Sequence, residues 1–246
     1  MKLYSKNLFT KASLLLVLGY FLTFLSFYFA NVLFADKAFF AYLWYFIQKA
    51  TFLLFPLIAA LLALIADAYI GLKKVFAVLI PLSLPKLIYS LPYYYLYFVY
   101  DPFYDSIDAL LYSLIQSTIE CIFTYAFTLI VFFVMRFILD SISKKNEPRS
   151  ALLTKKTALD FGDSVSVTFM ITSLLSFLYF FIVEIVDTVS VISKYSGRLR
   201  GGEIVYMVFS YVFDVLLLAG FYFILASIKN YIVKYRVKED TENKEA

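Results

Sequence analysis

The sequence lacks histidine altogether and has a single cysteine, Cys121, and these shortages exclude several kinds of chemistry. Without histidine there is no imidazole base, no histidine-ligated haem and little means of building a zinc site. One cysteine forms neither an intrachain disulfide nor a Cys-x-x-Cys redox pair. Nucleotide-binding P-loops and zinc-protease motifs are also missing. The sequence therefore predicts no metal, no cofactor and no catalytic residues, and it favours a protein that is not an enzyme.

Glycine and charge are scarce as well. Only Gly19 and Gly220 lie inside long apolar segments, whereas secondary transporters usually break their helices at Gly or Pro. Charged residues make up 16% of the chain and hydrophobic residues 63%, against roughly 25% charge in a soluble domain. Lipid is therefore the expected solvent, and the bilayer is the expected partner. The net charge of +4 comes mostly from basic loops and predicts no nucleic-acid partner.

Six apolar segments are long enough to cross a bilayer as helices, for which about 20 residues are needed. We place these spans at 12–34, 50–70, 75–98, 109–135, 165–189 and 204–228. The predicted fold is all-α, with residues 1–246 forming a single transmembrane domain, a bundle of about six transmembrane helices. Residues 39–48 are apolar and aromatic and have two interpretations: an interfacial helix, or the projecting start of the second span.

The distribution of Lys and Arg predicts the orientation of this bundle. With the N-terminus inside, sixteen Lys and Arg residues flank the inner ends of the spans and five flank the outer ends, as the positive-inside rule requires. Both termini are then cytoplasmic, and residues 139–163 form a cytoplasmic connection. The charged tail 234–246 has few apolar residues and is predicted to be disordered. The Lys-, Ile-, Phe- and Tyr-rich composition favours a bacterial plasma membrane.

Lys86, Glu120 and Asp214 each lie near the middle of a predicted span. A charge at bilayer depth costs about 2.5–3.5 kcal/mol on insertion scales, so it normally faces a partner or a water-filled cavity. Counted at ~1.5 Å per residue, all three lie about 15–18 Å from their span ends. We therefore predict that they meet at mid-membrane. Glu184, on the fifth span, is shallower, and hydration at the interface is its alternative explanation.

The fourth span carries the strongest pattern, a polar stripe around Glu120. Its members recur at intervals of three or four residues and so share one helical face: Ser113, Ser117, Glu120, Thr124 and Thr128, with Gln116 beside them. Contact between such a face and lipid costs free energy, so we expect the face to contact protein or water. One interpretation is the wall of a pathway or pocket. The other is a packing face whose hydroxyls bond across helices.

The third span contains Pro81, Pro85 and Pro92 around Lys86. Each proline removes the hydrogen bond to the carbonyl four residues earlier. Lys86 has two interpretations: it donates to these freed carbonyls or pairs only for assembly, or it holds an anionic substrate group.

The predicted outer loop at residues 100–108 has three acids, Asp101, Asp105 and Asp108, and no base, and it follows a run of tyrosines. The usual explanation is an orientation signal with a capping turn, beside an aromatic belt at the membrane interface. The functional alternative is that the loop forms the outer opening of a pathway and concentrates cations there. The tyrosine rings would then stack on ligands.

These features favour a multi-pass membrane transport component. Its predicted polar site comprises Lys86, Glu120, Asp214 and Glu184, with Ser113, Gln116, Ser117 and Thr124. The substrate is a small molecule or an ion. Because the sequence has no ATPase motif, transport needs an ion gradient or a partner membrane or ATPase subunit. The alternative is a non-transporting scaffold or assembly subunit of a larger complex, in which the buried charges only specify helix assembly.

Overall fold

The computed structural model describes residues 6–143, 147–154, 163–195 and 201–245, and every regular element in these ranges is helical. The elements are α1 (Lys6–Tyr28), a π-helical turn (Phe29–Leu33), α2 (Ala38–Ile70), α3 (Leu72–Ser83), α4 (Lys86–Val99), α5 (Ser106–Ile142), α6 (Arg149–Thr154), α7 (Ser164–Tyr195) and α8 (Gly201–Glu245). The predicted all-α class is confirmed. Helices suit an apolar chain because each one satisfies its own backbone hydrogen bonds without water.

Five described stretches are long and apolar enough to cross a membrane: Thr10–Leu33, Ala38–Ile70, Ser106–Ile142, Ser164–Ser190 and Met207–Val233. Helices α3 and α4 pass the same test as a pair, with a bend of 42° between them, and raise the number to six. The described chain is therefore all-helical, and its five or six apolar helical segments fit a multi-pass membrane protein. The orientation of its termini and the identity of its membrane stay predictions.

Helix α2 runs without interruption from Ala38 to Ile70. Residues 39–48 are thus the projecting start of the second span and not a separate interfacial helix. Hydropathy places the start at residue 50 because Gln48 and Lys49 interrupt the apolar run. Neither residue breaks a helix, however, since both Gln and Lys have good intrinsic helix propensity.

The third predicted span, 75–98, is divided by the break between α3 and α4. Pro85 has no N–H and cannot continue the helical hydrogen bonding, so the chain turns just before Lys86. Two shorter-range bonds bridge the break: Leu87 N donates to Leu84 O at 3.0 Å, and Ile88 N donates to Pro85 O at 3.1 Å. The break places Lys86 in the first turn of α4.

The chain divides into two compact units, and the first comprises Met1–Arg136. In it, α1 packs against α2 and α4, and α2 packs against α3. Helices α1 and α2 approach closely at Gly19, where an added Cβ would lie 2.0 Å from the Phe55 ring. One turn further on, the hydroxyls of Thr23 and Thr51 are hydrogen-bonded at 2.8 Å. The prediction of a single domain over 1–246 stays a prediction.

The second unit comprises Phe137–Ala246, in which α7 packs along α8 and α6 contacts α7. Helix α6 lies in the predicted connection 139–163, of which residues 144–146 and 155–162 fall outside the described ranges. Helix α8 continues to Glu245, where composition predicted a disordered tail from residue 234. Lys, Arg and Glu are good helix formers, and neither Gly nor Pro interrupts this segment, so the helical backbone extends through it.

Candidate functional site

Lys86 is the centre of a polar cluster in the first unit. The α3–α4 break directs its side chain into the packed interior, where only 5% of that side chain is exposed. An ammonium group at such a position needs a counter-charge, because an unpaired buried charge costs several kcal/mol. The counter-charge comes from α5: Lys86 Nζ lies 2.9 Å from Glu120 Oε2.

Glu120 has a second partner on α4. The hydroxyl of Tyr94 donates a hydrogen bond of 3.1 Å to Glu120 Oε1, so each carboxylate oxygen is engaged by a different residue. The side chain of Glu120 remains 34% exposed, in contrast to the sealed side chain of Lys86. The ion pair is therefore asymmetric: its cation is enclosed by protein, and its anion is open at one side.

Three aromatic rings enclose the Lys86 ammonium. Its Nζ lies 3.4 Å from the ring centroid of Phe52, 5.4 Å from that of Tyr89 and 5.8 Å from that of Tyr20. The negative face of an aromatic ring attracts a cation, most strongly where water is excluded. The Tyr89 hydroxyl in turn accepts a hydrogen bond of 3.1 Å from Gln48 Nε2. These rings hold the cation in place and exclude water from its side of the pair.

The predicted polar stripe on α5 is largely turned away from the exposed face of that helix. Ser113, Ser117 and Thr128 are buried, whereas Ile122 and Phe123, which point to the other side of the helix, are exposed. Gln116 and Thr124 are half-buried. Ser113 and Thr128 donate to carbonyls of their own helix. Within the described part of the chain, Ser117 Oγ is buried without a hydrogen-bond partner.

Two further predicted site residues, Glu184 and Asp214, belong to the second unit. Glu184 on α7 accepts a hydrogen bond from Ser210 on α8. A second bond between the same helices joins the Tyr211 hydroxyl and Thr188 Oγ1 at 3.0 Å. Asp214 is buried, one turn after Ser210. The structure thus pairs Lys86 with Glu120 and Glu184 with Ser210, and the membership of Asp214 in the site of the first unit stays a prediction.

Sequence reasoning missed the residues that complete the cluster: Tyr20, Phe52, Tyr89 and Tyr94. Tyr94 carried a weak signal, since it lies in a tyrosine run two turns after Lys86. Phe52 and Tyr20 carried none, because an apolar helix of this chain offers many equivalent aromatic residues. Among the described residues, no group of His, Cys, Asp and Glu is arranged to hold a metal ion.

The fold and this cluster define the class of the protein: an all-helical chain with five or six helical segments suited to a multi-pass membrane protein, and a lysine–glutamate pair in its first unit whose lysine is enclosed and whose glutamate is partly exposed. Comparisons with protein-family models, with curated proteins and with solved structures give no match to this chain. Its function is therefore inferred from the cluster alone.

Proposed function

We propose that this chain is a membrane transport component whose exchangeable group is Glu120. The observation that carries the proposal is the asymmetry of the ion pair, with Lys86 sealed and Glu120 one-third exposed. Closing the protein around Glu120 as well would add the cost of desolvating its carboxylate, and the open side spares that cost. An exposed carboxylate in an apolar helix also leaves one side of the pair accessible to a proton or cation.

In this proposal, Glu120 alternates between two states. As a carboxylate it pairs with Lys86 and accepts the hydrogen bond of Tyr94. When a proton or a cation occupies its open side, the attraction to Lys86 weakens, and the aromatic rings around the ammonium keep the freed cation stabilised. The chain has no nucleotide-binding motif, so the driving force is an ion gradient or a partner membrane or ATPase subunit.

The direct test is ion flux in proteoliposomes. Vesicles loaded with a pH-sensitive dye and given a potassium diffusion potential report proton entry, and a sodium-sensitive dye reports sodium entry. We expect the wild-type protein to carry one of these ions faster than empty vesicles do. We expect Lys86→Met/Glu120→Gln to lose that flux, because the exchangeable carboxylate is gone while no charge is left unpaired.

The control is Lys73→Met, which removes a lysine that lies exposed on α3 and touches no part of the cluster. It should retain the wild-type flux. Flux in the double variant equal to that of wild type would overturn the role of Glu120. Flux of both ions no faster in wild type than in empty vesicles would contradict an ion-coupled transporter that works without a partner.

Access of water to Glu120 provides a second test that uses the native chain. Cys121 follows Glu120, is half-buried and is the only cysteine of the sequence. A charged methanethiosulfonate reagent reacts only with thiols that water reaches. We expect it to modify Cys121 in proteoliposomes, with Cys121→Ala as the blank, and an inert thiol would argue for a sealed site.

The alternative function, a scaffold or assembly subunit, is favoured by one observation: the ammonium of Lys86 is packed among three rings as tightly as a structural group. A static charge pair of this kind specifies which helices associate. In that case Lys86→Met/Glu120→Gln should recover both folding and the associated phenotype. If the protein is a transporter, the same double variant should recover folding but not transport.

We also propose that both termini are cytoplasmic and that the membrane is a bacterial plasma membrane. The sixteen-to-five distribution of basic residues supports this orientation. Reporter fusions after Glu147 and after Lys238 should give the cytoplasmic signal, and fusions near Asp105 and Arg198 should give the external one. A cytoplasmic signal near Asp105 would reverse the orientation.

A further inference from the structure

A second site lies in the first unit, further along α4, and adjoins the Lys86 cluster through Tyr93, whose ring stacks on that of Tyr89 at a centroid distance of 5.3 Å. It is a cleft of about 540 Å³ between the end of α1, the π-helical turn, the start of α2 and the end of α4. Its lining includes Phe27, Asn31, Trp44, Tyr93, Tyr97 and Asp101. Its volume is in the range of clefts that hold small molecules.

Aromatic faces dominate the lining. Phe27 meets Trp44 at a centroid distance of 5.4 Å and Tyr93 at 4.8 Å, both edge to face, so three rings present differently oriented surfaces. Tyr97 and Tyr100 add two exposed rings. Rings in several orientations around one space form the arrangement that receives an organic cation, because each negative ring face contributes attraction.

One carboxylate completes the lining, and the turn after α4 holds it in position. Asp101 Oδ1 accepts a hydrogen bond of 3.1 Å from Phe103 N, and Asp101 N donates to Phe98 O at 3.1 Å. None of the described lining residues is Lys or Arg. The sequence also has neither residue type between Lys86 and Arg136, and Lys37, beside the π-helical turn, is paired with Asp36 at 2.9 Å.

The π-helical turn supplies the remaining polar group. Its widened ring is closed by Phe34 N donating to Phe29 O at 2.8 Å, and the turn brings Asn31 and Val32 to the cleft. Asn31 Nδ2 donates to Phe27 O at 3.0 Å, which favours presentation of the acceptor Oδ1. Single π-helical turns occur frequently at functional sites.

We propose that this cleft binds an alkylammonium group, carried by a free organic amine or by a lipid headgroup. The lining offers ring faces, one carboxylate and an amide oxygen, which are the groups that recognise a weakly hydrated cation. A neutral sugar would require several converging donors and acceptors, and an inorganic anion would meet the charge of Asp101. The proposal is independent of ion transport by Glu120.

Tryptophan fluorescence can detect binding in the cleft, because Trp44 is one of its lining residues and is the only tryptophan of the chain. The full-length protein in maltoside micelles is titrated with choline and, separately, with its uncharged isostere 3,3-dimethyl-1-butanol, while Trp44 emission is recorded. We expect a saturable change with choline and none at matched concentrations of the isostere. Equal responses to both compounds would overturn the proposal, because recognition would then not depend on charge.

Two variants with matched controls locate the site. Asp101→Asn keeps the oxygen that accepts from Phe103 N but removes the charge, and we expect about three- to fivefold weaker choline binding. Asp105→Asn makes the same change in a residue that caps α5 outside the cleft, and it should bind as wild type does. Tyr97→Leu should weaken binding, whereas Phe103→Leu, at an exposed residue of the same turn, should not. Equal binding by Asp101→Asn and Asp105→Asn would also overturn the proposal.

Nanodiscs distinguish the two sources of the ammonium group. In phosphatidylglycerol discs no lipid ammonium competes, and choline should bind as in micelles. If phosphatidylcholine discs then lower the choline response, the natural occupant is a lipid headgroup. If they leave it unchanged, the occupant is a free amine. No saturable choline response in either disc would contradict ammonium recognition.

Discussion

The two units differ in the polar contacts at their buried helix pairs. Beside hydroxyl bonds such as Thr23–Thr51, the first unit has two ion pairs with a buried member: Lys86 on α4 with Glu120, and Asp67 on α2 with Arg136, whose Nε–Oδ2 distance is 3.3 Å. The second unit joins α7 to α8 through hydroxyl groups, from Ser210 to Glu184 and between Tyr211 and Thr188. Removing one partner of an ion pair leaves the other charge without its counter-charge, whereas removing Ser210 takes one hydrogen bond from Glu184 and removing Tyr211 leaves a neutral hydroxyl on Thr188.

The two ion pairs of the first unit also differ in which member is buried, and their different positions along the span explain this difference. Lys86 is the sealed member of its pair, but in the other pair the acid is sealed, with Asp67 at 3% and Arg136 at 23% exposure. Glu120 and Arg136 both lie on α5, about 24 Å apart along the axis. Arg136 is near the end of the span, where a long side chain reaches interfacial water. Glu120 at mid-span has no such route, and its exposed side is the one that the proposed ion exchange would use.

The largest expected effect separates the members of the Lys86–Glu120 pair. Glu120→Gln leaves a sealed ammonium unpaired and should lower the free energy of unfolding by about 3–5 kcal/mol. Lys86→Met should cost less, because Glu120 keeps the Tyr94 hydrogen bond and partial exposure. Unfolding in mixed detergent–SDS micelles measures both values.

The double variant Lys86→Met/Glu120→Gln tests whether the two residues act as a pair. It should recover most of the loss caused by Glu120→Gln, because both charges are removed together. Lys73→Met serves as the neutral lysine control. Additive effects of the two single changes would mean that the residues are not energetic partners, and the comparison between the units would lose its basis.

The Asp67–Arg136 pair should show an intermediate effect. Asp67→Asn removes the charge from the sealed member, but Arg136 can turn toward interfacial water, so we expect a loss of about 1.5–2 kcal/mol. Asp36→Asn, in an exposed pair with Lys37, should change stability little. A loss as large as that of Glu120→Gln would contradict the explanation by position along the span.

The hydroxyl links of the second unit should contribute less. Ser210→Ala removes the donor to Glu184, and we expect it to cost about 0.6 kcal/mol, the average of hydrogen bonds between membrane helices. The matched control is Ser141→Ala, at an exposed serine that bonds only along its own helix. If Ser210→Ala cost as much as breaking an ion pair, the second unit would depend on its polar bonds as strongly as the first.

The smallest effect is expected at the exposed end of the second unit. Arg149 and Asp140 form a bidentate pair, at 2.6 and 2.5 Å, but both are partly exposed to solvent. Arg149→Gln should therefore change the free energy of unfolding by about 0.5 kcal/mol or less, and added salt should reduce even that difference. A loss above the Ser210→Ala value would show that geometry outweighs solvent screening at this position.

Helical periodicity accounts for how much of the candidate site was predictable. Ser113, Ser117 and Glu120 share a face of α5 because their spacing follows the helical repeat, and this needs no knowledge of other helices. The break near Lys86 likewise follows from the prolines of the third span. Neither argument predicts that Tyr94 reaches Glu120 or that Phe52 covers Lys86, since both contacts join separate helices.

The sequence by itself determined the solvent and the class of this protein. Long apolar segments with little charge belong in lipid, and a continuously apolar segment there forms a helix, which bonds its own N–H and C=O groups where no water can. Hydropathy is a local property, so no tertiary information is needed for that conclusion.

Only the tertiary structure decided which charges pair, which member of each pair is sealed and where the aromatic cleft opens. Phe27, Trp44 and Tyr97 come from three different helices and meet through packing, which the order of residues along the chain does not encode locally. The chain has 28 Phe and 22 Tyr residues, and all residues of one type have the same side chain. Their different roles arise because three-dimensional packing gives each ring a particular neighbour, a cation for Phe52 and a carboxylate for Tyr94.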